Sequence, residues 1–143
     1  MKKILITGGS GFIGTNLIEH LLKKTDAELL TFDINEPKID SHNRFWKRVD
    51  IREYEELREK IVEYKPDIVI HLAARTDLRG LTLKDYDANM TGVSNLLKAI
   101  DEAGTVQKAV FASSMYVCEP GYMPKDFEDY APHTLYGESK VET

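Results

Sequence analysis

Three groups of residues in this 143-residue chain have types and spacings that suit chemistry. The first is Thr7-Gly8-Gly9-Ser10-Gly11-Phe12-Ile13-Gly14, which follows the apolar run Ile4-Leu5-Ile6. Glycines in such a run permit a tight turn, let backbone N–H groups approach a phosphate, and let the next helix press onto the strand. The N-terminus of that helix adds partial positive charge. The pattern therefore predicts a dinucleotide pyrophosphate site, in either of two frames, Gly8/Gly11/Gly14 or Gly9/Gly11/Gly14. Thr15-Asn16 stand where a P-loop needs Gly-Lys-Ser/Thr, which argues against a nucleoside triphosphate. The second group is Asp33, about 20 residues beyond the glycines, where a carboxylate accepts hydrogen bonds from an adenosine ribose. A 2′-phosphate would meet like charge there, and Ile34 follows in place of a compensating arginine, so NAD is expected over NADP. The third is Tyr136 and Lys140, one helical turn apart on one face. A free phenol has a pKa of about 10, so a base working near pH 7 needs roughly 4 kcal/mol of preferential stabilisation of its phenolate. An adjacent ammonium supplies charge of the right sign.

These groups need elements to hold them. Ile4-Leu5-Ile6 reads as a strand buried on both faces, and Ile13, Leu17 and Leu21, with Ile18 and Leu22, give the following helix an apolar stripe. Glu28–Asp33 reads as strand two, Asn35-Glu36-Pro37 as a loop, and Phe45–Val49 as a short strand three. Glu53–Tyr64 carries Tyr54, Leu57 and Ile61 at helical spacing and stops before Pro66. Strand four is expected at Ile68–Leu72, a helix at Tyr86–Ala103 ending at Gly104, and strand five at Ala109–Ala112. Glu119–Pro132, rich in Pro, Gly, Tyr and acids, is the longest expected loop. Strands alternating with helices predict one α/β domain, a doubly wound parallel sheet in the order 3-2-1-4-5, with ligands at the carboxyl ends of the strands where the order reverses.

Composition narrows the classes. A net charge of −5 with scattered Lys and Arg leaves no basic stripe for nucleic acid and no polybasic cluster for anionic lipid. The apolar start stops at the glycines, and no later run is long enough to span a bilayer, so a cytoplasmic location is expected. Cys118 is the only cysteine, which excludes an internal disulfide and a cysteine metal site.

With Asp50-Ile51-Arg52, His71-Leu72-Ala73-Ala74, Asn89-Met90-Thr91-Gly92, Ser113-Ser114 and Tyr136-Gly137-Glu138-Ser139-Lys140 added in order, the whole chain resembles the N-terminal part of an extended short-chain dehydrogenase/reductase of the NAD-dependent sugar-nucleotide epimerase/dehydratase group. The resemblance implies a Rossmann-type domain and settles the glycine frame on Gly8, Gly11 and Gly14, with backbone contacts from Phe12 and Ile13. It implies Asp50 and Ile51 beside the adenine, and Leu72, Ala73 and Ala74 along the pyrophosphate and nicotinamide ribose. Asn89 would brace that loop. Lys140 would hold the nicotinamide ribose and favour the Tyr136 phenolate, while Ser114 would hydrogen-bond the reacting sugar hydroxyl or carbonyl. Tyr136 would take a proton from a sugar hydroxyl as hydride leaves the same carbon for NAD. A nucleotide-sugar substrate and a homodimer are also implied.

Two departures qualify the resemblance. Dehydratases of the group usually carry Asp-Glu after the serine or threonine, whereas Met115-Tyr116 stand here, so epimerisation or oxidation/reduction is expected over 4,6-dehydration. Cys118-Glu119 replace the Tyr-Gly often found a few residues beyond the serine. The chain stops soon after Lys140, where the family continues for roughly as many residues again, so the expectation is a cofactor-binding half with little turnover of its own. Strand five would then be an exposed edge, inviting self-association or disorder after about Glu119. A non-catalytic NAD-sensing module is the alternative, against which a phenolic base speaks.

Overall fold

The computed structural model describes all 143 residues. Five parallel strands, β1 (Lys3–Thr7), β2 (Glu28–Asp33), β3 (Trp46–Arg48), β4 (Ile68–His71) and β5 (Lys108–Phe111), lie in the order β3-β2-β1-β4-β5. Ile4 pairs with Leu29 on one side and Ile68 on the other, which places β1 at the centre. Three helices cover the sheet, α1 (Phe12–Lys24), α2 (Tyr54–Tyr64) and α3 (Asp87–Ala103), and the short α4 (Leu135–Val141) packs on α3 and its flanking turns. The doubly wound order expected from the sequence is the order found. No helix is long and apolar enough to cross a membrane.

Alternation along the strands divides the core in two. Leu5, Phe32 and Val69 point to one face, where they meet Leu57 and Ile61 of α2 and Leu96 and Ala99 of α3. Ile4, Ile6 and Leu29 point to the other, against Ile18, Leu17 and Leu21 of α1. The apolar stripe read for α1 is therefore correct in its middle. At its start Ile13 is 61% exposed and Phe12 78%, because the first turn lies beyond the sheet edge. Leu22 is also exposed, at 37%.

Helix ends follow local chemistry. Lys65 adopts a left-handed conformation (φ 55°) at the end of α2, directly before Pro66, and Gly104 does the same (φ 62°) after α3. The helix expected from Tyr86 begins instead at Asp87, after a 3-10 turn at Leu83–Tyr86 closed by a Thr82/Asp85 capping box. Strands three, four and five each differ from expectation by a residue at one end or both, the ordinary fraying of a ladder. β5 has β4 as its only neighbour, and Val110 stands 43% exposed on it. After it, Cys118 and Ala131 form a bridge that closes the long loop onto itself. Within that loop the Asp129 carboxylate accepts from Tyr122 Oη and Lys125 N.

Two close contacts lie near the carboxyl ends of β1 and β4. A Cβ at Gly14 would collide with the carbonyl oxygen of Gly8 and lie 2.7 Å from Gly9 Cα, so α1 can rest on the turn only if residue 14 has no side chain. His71, 1% exposed, is held through Nδ1 by Thr7 Oγ1 at 2.6 Å. Burial, aided by the Lys140 charge, pushes its pKa down to about 4.

Gly14→Ala is expected to destabilise the fold by about 1–3 kcal/mol, since every colliding atom is backbone. Gly11→Ala should cost much less, its Cβ meeting only Gly8 O at 3.3 Å; paired urea titrations check the contrast. For His71 the unfolded chain takes up a proton that the folded chain refuses, so its stabilisation is present above about pH 6.5 and lost as pH falls toward 4. Wild-type stability should drop by roughly 2 kcal/mol between pH 7 and pH 5. His71→Gln should flatten that slope in the same measurement.

Candidate active site

The carboxyl ends of β1, β2, β4 and β5 open onto one cleft of about 930 Å³, within the range of small-molecule sites. It begins at the glycine turn. Gly8 has φ +76°, a conformation that L side chains rarely adopt, and a Cβ on it would come 2.6 Å from Ala73 N. The turn thus lies directly against the segment after β4. Gly9 faces away from the cleft, packed on Thr31, which separates the two possible frames: Gly8, Gly11 and Gly14 line the cleft and Gly9 does not.

The first turn of α1 has no side-chain cap at Gly11 and no acidic residue. The N–H groups of Phe12, Ile13 and Gly14 find no acceptor within the chain. Together with the dipole of a 13-residue helix, they form a neutral-backbone receptor for an anion.

Asp33 closes the next wall. Its Oδ2 accepts from Ser10 N at 3.0 Å and its Oδ1 from Asn35 N at 2.9 Å, while Ser10 Oγ donates to Asn35 O. These bonds knit the glycine turn to the β2 loop and leave further lone pairs on each carboxylate oxygen for a ligand. Lys38 lies on the same wall. Beyond it, Asp50 and Ile51 line the cleft. Arg52 binds both oxygens of Asp50, with Nη2 to Oδ2 at 2.6 Å, and holds that carboxyl below its usual pKa.

The far wall is built from Leu72, Ala73 and Ala74 with Tyr136 and Lys140. Thr134 caps α4 by accepting from Gly137 N, and Gly137 lets the helix press on the carbonyl of Tyr116. Tyr136 is 8% exposed and Lys140 6%, so the pair is largely desolvated. The Tyr136 ring meets Tyr116 edge-on at 5.8 Å and Tyr86 at 6.1 Å. Burial lowers the pKa of Lys140, whose ammonium has neither a carboxylate nor a hydrogen-bond partner in the chain. Lys140 thus brings an ammonium with no paired carboxylate into the cleft that Tyr136 also lines.

The cleft brings together Gly8, Gly11, Phe12, Ile13, Gly14, Asp33, Asp50, Ile51, Leu72, Ala73, Ala74, Tyr136 and Lys140. Asn89 and Ser114 stand outside its lining. Asn89 is buried behind the wall, where Oδ1 accepts from Arg75 N and Nδ2 donates to Arg75 O and Ser139 Oγ, a brace between the β4 loop and α4. Ser114 accepts from Tyr116 N to cap a 3-10 turn, while its neighbour Ser113 faces the cleft. His71, Arg75 and Ser113 are cleft residues to which sequence reasoning gave no role. Only the side-chain alternation at the ends of β4 and β5 could have pointed to them.

The profile of the NAD dependent epimerase/dehydratase family matches residues 4–143. Among curated proteins, the UDP-glucose 4-epimerase of Neisseria meningitidis serogroup C is 34% identical over 98% of this chain and 45% of its own length. Among solved structures, the UDP-Glc/GlcNAc 4-epimerase of Campylobacter jejuni superposes with a TM-score of 0.86 at 25% identity, covering 99% of this chain and 46% of the other. The UDP-glucose 4-epimerase of Thermus thermophilus, solved in complex with NAD, superposes with a TM-score of 0.78 at 29% identity, covering 97% and 47%. The chain spans just under half the length of these relatives. A profile match over nearly every residue, on a sheet and cleft of this form, places the chain in the NAD-dependent epimerase/dehydratase family.

Proposed function

We propose that this chain binds NAD in the cleft and supplies the proton-transferring pair of a sugar-nucleotide epimerase or oxidoreductase. The observation that carries the reading is the opening of a side-chain-free anion cradle and a desolvated Tyr–Lys pair onto the same cleft. The residues fit the cofactor. The free N–H groups of Phe12, Ile13 and Gly14 suit its pyrophosphate, Asp33 its adenosine ribose, and the unpaired Lys140 ammonium its second ribose. NAD, when bound, supplies the hydride acceptor.

The rest of the chemistry belongs to the chain. Tyr136 accepts the proton of a sugar hydroxyl, with the Lys140 charge stabilising the phenolate. Ser114, next to the cleft-lining Ser113, keeps its own O–H free when Oγ accepts from Tyr116 N and is the group assigned to that hydroxyl or the carbonyl it becomes once substrate enters. Asn89, through Arg75 and Ser139, fixes the wall against α4. Met115 and Tyr116 offer no carboxylate beside Ser114 for the elimination of water, which favours epimerisation or oxidation/reduction over dehydration. A nucleotide sugar as substrate and a homodimer as the assembly belong to the same reading.

Calorimetric titration should show this chain binding NAD more tightly than NADP. Asp33→Ala should weaken NAD by about tenfold or more, the size of a hydrogen bond to a charged group, and narrow the preference. Equal or tighter binding of NADP by the wild type would refute the assignment of Asp33. In the longest protein that contains this chain, Tyr136→Phe should lower kcat on UDP-glucose or another accepted nucleotide sugar by about 10²–10⁴-fold with NAD affinity unchanged. Full turnover by that variant would remove Tyr136 as the base, and no turnover by the wild type with NAD bound would favour an NAD-binding module.

A further inference from the structure

The bonds that fasten α4 run through its backbone, Ser139 and Thr143, and they leave the Tyr136 ring to be aimed by what packs on it. Two aromatic rings do so. Tyr116 meets it edge-on at 5.8 Å, and Tyr86 meets it at 6.1 Å with the planes tilted by 49°, both within the range of aromatic pairs. The two neighbours differ in how firmly they are held. Tyr116 is half-buried and stacks on the exposed His133, whereas Tyr86 is 1% exposed.

Tyr86 is gripped by the loop that follows β4. Its Oη donates to Asp77 O at 2.8 Å and accepts from Gly80 N at 3.2 Å. The Arg75 guanidinium lies over its ring, 5.2 Å from the centroid, and is locked there by the Asp77 carboxylate and by Asp85 O. Gly80 packs so closely that a Cβ on it would come 2.4 Å from Tyr86 Cε2. The segment from Arg75 to Gly80 is thus wrapped on one tyrosine, and that tyrosine packs on the proposed base. Neither Tyr86 nor Gly80 lines the cleft, although Arg75 and Tyr136 do.

We propose that Tyr86 is a positioning residue for Tyr136: its ring fixes the direction of the phenol, and its hydroxyl ties that ring to the loop after β4. The Tyr86 ring cannot yield without breaking two hydrogen bonds and parting from the Arg75 guanidinium, so it presents Tyr136 with a fixed wall. Such a wall matters for a group that must meet a sugar hydroxyl, because a misplacement of about 1 Å costs as much as 10²-fold in rate. The catalytic consequence rests on the reading of Tyr136 as the base, while the coupling of loop to ring can be tested without turnover.

In the longest protein that contains this chain, Tyr86→Leu and Gly80→Ala should each lower kcat about tenfold, with KM and NAD affinity within about twofold of wild type. Tyr86→Phe keeps the ring and should recover most of the rate. Because the Gly80→Ala methyl acts by displacing the Tyr86 ring, adding it to Tyr86→Leu should cost nothing further. Wild-type kcat in Tyr86→Leu, additive losses in the double variant, or a loss that merely follows weaker NAD binding would overturn the proposal. On this chain alone, NMR of ring-labelled tyrosine, with the Tyr136 signal assigned by its absence from Tyr136→Phe, should show that signal displaced in Gly80→Ala. An unmoved signal would overturn the proposal even if Tyr86→Leu does not fold. Full turnover by Tyr136→Phe would instead remove the base and leave the ring coupling intact, whereas lost coupling with Tyr136→Phe inactive would leave the proposed function standing.

Discussion

The carbonyl of Gly8 lies against the Cα of Gly14, and the geometry of the cleft follows from that backbone contact. It sets the start of α1 hard against the end of β1, so the first turn of the helix projects past the sheet with its N–H groups facing open space. It also exposes Phe12 and Ile13, apolar residues that a helix on a sheet would otherwise bury. The same turn, through Gly8, abuts Ala73 and, through Ser10, is bonded to Asp33. One close approach thereby positions the ends of three strands relative to one helix.

A second constraint acts behind the far wall. Asn89 is buried and makes three hydrogen bonds that tie the segment after β4 to α4. Ser139 passes that tie to the Tyr136 carbonyl, and Thr143 fastens the end of α4 to Asn89 O. A seven-residue helix has little stability of its own, so this polar seam and the packing of Tyr136 on Tyr86 and Tyr116 hold it in place. Lys140, on a helix held in this way, lines the cleft with no carboxylate paired to it.

What could be read without coordinates was what is local. The glycine run, Asp33 at the end of an apolar strand, and a Tyr–Lys pair one helical turn apart each carry their meaning in spacing, and the sheet order followed from alternating elements. Long-range placement was harder. Ile13 fits an apolar stripe by period and nevertheless faces the cleft, because period does not say where the sheet ends. Of two adjacent serines, spacing cannot tell which faces the cleft, and the 3-10 turn after β5 turned out to be Ser113 outward with Ser114 as its cap. His71 reads as part of a strand motif, and only the structure reveals that it is buried on Thr7 with its other ring nitrogen unpaired.

The central position of β1 also bears on how the chain reaches this state. In sequence β2 follows β1 closely, but the partner of β1's other edge, Ile68–His71, comes more than sixty residues later. Parallel pairing across such a separation raises the contact order, and topologies of this kind fold more slowly than helical bundles of equal size. Until β4 arrives, Ile4, Leu5 and Ile6 form an apolar ribbon with one unpaired side. The nascent chain therefore passes through a period of adhesiveness whose length is set by the rate of translation rather than by the stability of the finished sheet.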